Sequence, residues 1–241
     1  MEQDRAYRCV VVPVQSLDEC TRGDMAALYL SAYEATDALI FEQDLADKDE
    51  VLLLYCDAQL VGFTTLKVYG CSWRGDPIQV IFSGDTVVDR QHWGQQALSF
   101  AWVRHLGLIK RRYPQQRLVW FLLVKGHRTY RYLHVFAKIF YPGRDEGHAD
   151  LAALAHHLAQ NRFAREYNAS TGVVEFTPSR GQLKGELAEP RAEEMERPGV
   201  AYFLRRNPGY RQGHELICVC DVDEGNMKPL TLRLFRQGLY G

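Results

Sequence analysis

Asp85 sits inside an otherwise apolar stretch, Ile78 to Val88. A partly buried carboxylate there has a raised pKa and becomes a useful base near neutral pH. Ser83 lies two residues earlier. In an ideal strand of period two it shares a face with Asp85, and the pair are the candidates for handling a proton. Asp85 follows Gly84, so it equally fits a residue that caps a bulge or turn. A short polar turn comes next, with a single glycine, Gly94, near its end. The residues after it are helix formers, with apolar side chains at Leu98, Trp102, Leu106 and Ile109. That spacing predicts a helix with one buried face. Strand, tight turn and helix N-terminus together form an anion site, because the N–H groups of a first helical turn have no helical acceptor. Further along, Arg128, Tyr130, Arg131, Tyr132 and His134 make the start of a predicted helix polar and aromatic. They are either phenolic proton donors and cations at a site, or an ordinary helix surface.

The surrounding elements must hold these groups. Tyr7–Val14 reads as a strand and Leu17 to about Thr36 as a helix, with Thr21 or Asp24 as a cap. Tyr29 and Tyr33 share one face of it and read as core or rim aromatics. The acidic segment 37–50 continues into a short helix around Leu39-Ile40-Phe41; its carboxylates suit a cationic amine or a solvated face. Glu50–Tyr55 and Leu60–Tyr69 are strands joined by a hairpin turn at Cys56–Gln59. Leu118–Val124 is a continuous apolar run, as expected of a central strand covered on both faces. His127–Phe140 reads as a helix.

Two segments resemble the Gcn5-related N-acetyltransferase superfamily. After Val88, the run Gln91-His92-Trp93-Gly94-Gln95-Gln96 is similar to that family's turn after its fourth strand; Gln96 stands where the family has Gly or Ala. The resemblance implies that backbone amides here, with Val87, Val88, Gln91, Gly94, Gln95 and Gln96 as cofactor-binding residues, hold the pyrophosphate of acetyl-CoA or another acyl-CoA. Phe136-Ala137-Lys138-Ile139-Phe140-Tyr141-Pro142 is similar to the ending of the family's fourth helix. Phe136 occupies the position of the family's acidic tyrosine and cannot donate a proton. Tyr132 or Tyr130 is then the replacement, and Tyr132, four residues before Phe136, shares its helical face. The resemblance covers roughly Tyr7 to Tyr141. It implies a mixed α/β fold whose fourth and fifth strands, Ile78–Val88 and Leu118–Val124, splay apart around the acyl-CoA. On that reading Asp85 and Ser83, with Tyr132 and Tyr130, are the catalytic candidates.

Composition narrows the alternatives. With 241 residues, 46% hydrophobic and 24% charged, the chain reads as one large globular domain or a domain with an insertion. A formal net charge of -1 gives no reason to expect a nucleic acid partner. The start, Met1-Glu2-Gln3-Asp4-Arg5, is not a secretory leader, and no run of eighteen apolar residues occurs, so no membrane partner and a cytoplasmic location are expected. Six scattered cysteines lack any Cys-x-x-Cys pair and read as free thiols. His148, His156 and His157 have no completing ligand at metal spacing. No serine-hydrolase elbow, P-loop or dinucleotide glycine fingerprint occurs.

The last hundred residues depart from the compact family pattern. Gly143–Gly147 reads as a linker, Ala149–Tyr167 as a helix, Gly172–Thr177 as a short strand and 179–199 as an irregular acidic segment. Val200–Arg206 reads as a short helix, His214–Val222 as a strand and Leu230–Phe235 as a last strand. The chain thus divides into a core over 1–142, a helical and irregular insertion over 143–213, and C-terminal strands over 214–241 that complete the same domain. The insertion is the expected source of substrate or oligomeric contacts, a homodimer among them. Three readings follow: an acyl-CoA-dependent N-acyltransferase acting on a small-molecule or protein amine; the same fold without catalysis, binding CoA, another ligand or a protein; and an unrelated α/β domain.

Overall fold

The computed structural model describes residues 6–144 and 148–241. The start Met1–Arg5 and residues 145–147 of the expected linker lie outside them. The chain opens with β1 (Tyr7–Pro13) and α1 (Glu19–Ala32), then a two-residue strand, β2 (Tyr33–Glu34), and α2 (Ala38–Ala46). Neither Thr21 nor Asp24 caps α1; Asp18 does, accepting from the Thr21 N–H at 2.7 Å. Asp37 does the same for α2, accepting from the Ile40 N–H. There follow β3 (Glu50–Cys56), β4 (Gln59–Trp73), β5 (Asp76–Val88), α3 (Ala97–Arg112), β6 (Arg117–Val124) and α4 (His127–Phe136). The hairpin between β4 and β5 turns through Arg74 and Gly75, both at positive φ.

One eight-stranded sheet runs β1-β3-β4-β5-β6-β10-β8-β7, where β7 is Tyr167–Asn168, β8 Val173–Val174 and β10 Glu215–Asp221. All pairs are antiparallel except β5 with β6, which are parallel. This mixed sheet flanked by helices is the topology that the resemblance implies. The expected partnership of the segment after Gly172 with the strand at 214–222 is present as β8 against β10, through Val173 and Val174. A ninth short strand, β9 (Gln182–Leu183), pairs with β2 outside this sheet.

One face of the sheet packs against α3, α4 and the C-terminal helix α9 (Pro229–Tyr240), around Leu106, Trp120, Leu133 and Phe235. The other packs against α1 and α2 at one end, and against α5 (Ala149–Phe163) at the other, through Leu151, Leu154, Ala155 and Leu158. Residues expected in an insertion beyond 142 therefore begin with a helix that covers the central sheet. The rest, α6 (Gly185–Ala188), α7 (Ala192–Met195) and α8 (Pro198–Arg206), lies over α4, with Tyr202 and Phe203 against Tyr130.

Several expected boundaries are corrected: the helix from Leu17 to about Thr36 ends at Ala32, with Tyr33 in β2, and the helix from Ala149 ends at Phe163, short of Tyr167 in β7. The helix over 127–140 ends at Phe136; the next residues leave it to bond the 226 turn, Lys138 N–H to the Asn226 carbonyl and Ile139 N–H to Asn226 Oδ1. Leu230–Phe235 is helical, not a strand. Pro229 starts the helix, and Thr231, Leu234, Phe235 and Gly238 form its buried face at helical spacing. Gly238 and Gly107 let α9 and α3 cross with backbones nearly touching: a Cβ on Gly238 would overlap the Arg104 carbonyl, and one on Gly107 the Phe235 carbonyl.

Candidate active site

The site begins where the two parallel strands part. β5 and β6 pair from Ile78↔Arg117 to Ser83↔Leu122 and no further. Beyond that rung β5 stays with β4 up to Val88, while β6 stays with β10 up to Val124. The strand edges facing each other across the gap therefore lack a ladder partner. A cavity of about 1120 Å³ occupies this gap and opens toward both faces of the sheet.

A bulge re-aims the residues at the parting point. Against β4, Thr64 pairs with Thr86 but Leu66 pairs with Ser83, so β5 carries one residue more than β4 here. Gly84 takes up the extra length: a Cβ on it would lie 2.5 Å from both Lys48 Cε and Thr65 Oγ1. The consequence overturns the expected alternation. Ser83 faces the α3–α4 side, where it accepts the Trp120 indole N–H at 2.9 Å. Asp85 faces the α1–α2 side, among Tyr29, Tyr33, Asp44, Lys48, Lys125 and Glu215. Both line the cavity, from opposite faces.

Asp85 is the carboxylate of this group with no hydrogen bond or ion pair among the described residues. Its neighbours are paired: Lys48 with Asp44 at 2.6 Å, and Lys125 with Glu215 at 3.4 Å. Loss of hydration pushes the Asp85 carboxyl up to about 7, reinforced by the Asp44 charge and opposed by Lys125 and Lys48. Burial works against the Lys125 charge, yet Glu215, Tyr33 and Asp85 hold the ammonium protonated well above its usual range. Its Nζ lies 5.1 Å from the centre of the Tyr33 ring, which stacks on Tyr29 at 4.6 Å. Burial and the Asp85 charge push the Tyr29 phenol up to about 12. Tyr29 and Tyr33, read from sequence as core or rim, thus form a wall of the site. Lys125 and Glu215 escaped the sequence reading. The available signal was a lysine directly after the apolar run of β6.

On the opposite side lies the turn into α3. Gly94 has φ +93 and open space where a side chain would start, so it serves the backbone conformation rather than close packing. Among the described residues, the N–H groups of Gly94, Gln96, Leu98 and Ser99 have no protein acceptor, while Gln95 closes the turn over Trp93 and Gly94; Gly94, Gln95, Gln96 and Ser99 line the cavity. The Ala97 N–H is closed off by Gln95 Oε1 at 2.7 Å. Gln91 departs from expectation: it belongs to a 3-10 turn, its N–H donates to Asp89 Oδ1, and it is not in the cavity wall. Val88 lines the cavity and gives its carbonyl to the Trp93 indole at 2.9 Å; Val87 lines it too, with its side chain packed toward α1 and α2. Open amides at a helix start beside a cleft between unpaired strand edges fit a pyrophosphate and an amide-bearing arm such as those of CoA.

The tyrosines separate. Tyr130 is buried, absent from the cavity wall, and donates its hydroxyl to the Pro142 carbonyl at 2.6 Å. It is a structural anchor between α4 and the following loop, not an acid facing the cleft. Tyr132 is on the cavity rim, 44% exposed, and so available to it. Phe136 lies in the wall with its ring 5.1 Å from Trp120.

No family model matches this chain, and no curated protein matches it. Among solved structures it is similar to a conserved protein of unknown function from Enterococcus faecalis V583, described as a probable N-acyltransferase. Identity is 15% and the TM-score 0.42, over 56% of this chain and 33% of that one. It is also similar to a GCN5-related N-acetyltransferase from Kribbella flavida (14%, TM-score 0.40, 56% and 34%). A third is a GNAT family N-acetyltransferase from Escherichia coli in complex with CoA (15%, TM-score 0.39, 56% and 72%). The chain spans about a third of the length of the first two. At these identities and TM-scores the likenesses bear no weight on the chemistry of this chain, which is read from its own topology and side chains.

Proposed function

We propose that this chain, with its Gcn5-related N-acetyltransferase topology, is a divergent acyltransferase of that superfamily. On this reading it moves an acyl group from acyl-CoA to an amine of a small molecule or a protein. The observation that carries the reading is the parting of β5 and β6 at Ser83↔Leu122 with the unpaired Asp85 carboxyl facing one side of the gap and the turn of Gly94 and Gln96, with their open amides, the other.

Acyl-CoA, when bound, supplies an activated acyl group on sulfur. The protein supplies the rest. Amides of Gly94 and Gln96 hold the pyrophosphate at the start of α3. The acceptor amine enters from the α1–α2 side, where Asp85 takes the proton that the ammonium must lose before its nitrogen can attack. A carboxyl near 7 is matched to that task at neutral pH. Lys125, fixed by Glu215, keeps Asp85 from rising further. As the new N–C bond forms and the C–S bond breaks, the nitrogen gives up its second proton to the departing sulfur or to water; a thiol with pKa near 8.5 leaves as a thiolate tolerably without an acid. Tyr132 is the remaining hydroxyl candidate for its protonation.

Asp85→Asn tests the base: transfer slows roughly 100- to 10,000-fold while CoA affinity holds. Unchanged turnover removes Asp85 from the mechanism. Phe136 in place of a tyrosine favours a second reading, a CoA-binding fold without catalysis. Tight CoA binding with no transfer to any amine would establish it.

A further inference from the structure

The cavity extends beyond the α3 turn, the strand edges and the α1–α2 side, where the pyrophosphate, the amide-bearing arm and the acceptor amine belong on this reading. On the α3–α4 side of the sheet it runs from the strand gap into a groove between α3, α4 and the start of α9. Trp102, Trp120, Val135, Phe136, Leu230 and Leu234 line it. The aromatic floor is continuous: Trp102 and Trp120 stand 5.7 Å apart, Trp120 and Phe136 5.1 Å. Its rim carries exposed apolar side chains beside Arg128 and Arg131. Of the nine large apolar side chains exposed among the described residues, four (Trp93, Tyr132, Val135 and Leu230) line this one cavity. Val135 is 55% exposed and Leu230 43%. Apolar side chains gathered at the mouth of a cleft mark a place where something apolar sits.

We propose that this groove takes the hydrocarbon tail of the acyl donor, and that the protein uses acyl-CoA with a chain of several methylenes rather than acetyl-CoA. The proposal rests on the acyl-transfer reading. It commits to this occupant because the groove shares one cavity with Asp85 and with the open amides of the α3 turn. Trp120 stands where groove and strand gap meet, held by its hydrogen bond to Ser83 at the last β5–β6 rung. The same arrangement accounts for Phe136: a ring without a hydroxyl suits an apolar wall. α9, which brings Leu230 and Leu234, closes a side of the groove that α3 and α4 leave open.

The test is calorimetric titration of the whole chain with CoA, acetyl-CoA and octanoyl-CoA, which needs no acceptor and no turnover. Each methylene fully buried strengthens binding about fourfold. Octanoyl-CoA is expected to bind on the order of 100-fold tighter than acetyl-CoA, since part of its chain stays at the rim. Val135→Ser with Leu230→Ser changes exposed positions only; it should remove roughly tenfold of that gain and leave CoA affinity within about twofold. Equal affinity for acetyl-CoA and octanoyl-CoA overturns this inference and leaves the acyl-transfer reading standing. A gain left undiminished by the double substitution also overturns it, because the tail then lies elsewhere. Failure of all three ligands to bind overturns both.

Discussion

The indole N–H of Trp120, which pairs with Ile81 on β5, donates diagonally at 2.9 Å to Ser83 Oγ, the β5 residue of the last rung these parallel strands share. Both side chains are buried, so this bond fixes the point at which the strands part. Ser83→Ala leaves a buried N–H without an acceptor, which costs about 1–3 kcal/mol. For a chain of this size that is a fall of very roughly 2–12 °C in Tm. Trp120→Phe in the Ser83→Ala background should show a coupling energy well above zero in a double-mutant cycle. Additive losses would mean that the bond contributes nothing to the parting of the strands.

Asp85 makes stability depend on pH with a definite sign. Its folded pKa, about 7, is above its unfolded value. Between about 3.9, the unfolded aspartate value, and the folded pKa, the native state holds more protons than the unfolded one. This group's contribution therefore falls as pH rises through that window. It is fully favourable below the unfolded pKa and lost above the folded one. Asp85→Asn keeps the shape and removes the charge. The Tm of the variant minus that of the wild type should grow steadily from about pH 4 and level off above neutrality. A difference that stays flat across that range contradicts the raised pKa.

The two tyrosines of α4 should respond differently to loss of oxygen. Tyr130→Phe strands the buried Pro142 carbonyl and should lower stability by about 1–3 kcal/mol. Tyr132→Phe removes a hydroxyl from the cavity rim, and denaturation should leave it within about 0.5 kcal/mol of the wild type. Slower acyl transfer in the Tyr132 variant alone supports its role as the acid. Equal turnover leaves the thiolate to depart without one.

Much of this fold was readable from patterns of residues. The apolar run Leu118–Val124 and the strand–turn–helix around Gly94 fixed the two central strands and the helix after the first. Local pattern offered a bulge at Gly84 and Asp85 only as an alternative to a regular strand. Perfect alternation puts Ser83 and Asp85 on one face, and only pairing with Thr64 and Leu66 of β4 shows the added residue that separates them. The charged wall was hidden for a similar reason. Lys125 and Glu215 are ninety residues apart, and β10 beside β6 brings them together. Leu230–Phe235 reads as a strand because Leu230, Leu232 and Leu234 alternate with Thr231 and Arg233; the helix that Pro229 starts buries Thr231, Leu234, Phe235 and Gly238 instead. The glycine pair Gly107 and Gly238, which seats α9 against α3, signals a helix crossing only once both helices are in place. Tyr130 and Tyr132 are two residues apart on one helix and so face nearly opposite sides; helical phase set Tyr132 beside Phe136, and packing under α8 makes Tyr130 the anchor.

The central claim is that the turn before α3 holds the pyrophosphate of an acyl-CoA. Calorimetric titration of the folded protein with CoA tests it most directly, on wild type, Gly94→Ala and Gly94→Asp. Gly94 has φ +93, so both substitutions carry backbone strain of order 1–3 kcal/mol, no greater for Asp than for Ala, and only Asp adds a negative charge at the amides. Wild type is predicted to bind one CoA per chain, Gly94→Ala to bind more weakly, and Gly94→Asp to lose at least a further tenfold while being no less stable than Gly94→Ala. Absence of CoA binding by the folded wild type, or equal binding by both variants, would contradict the assignment.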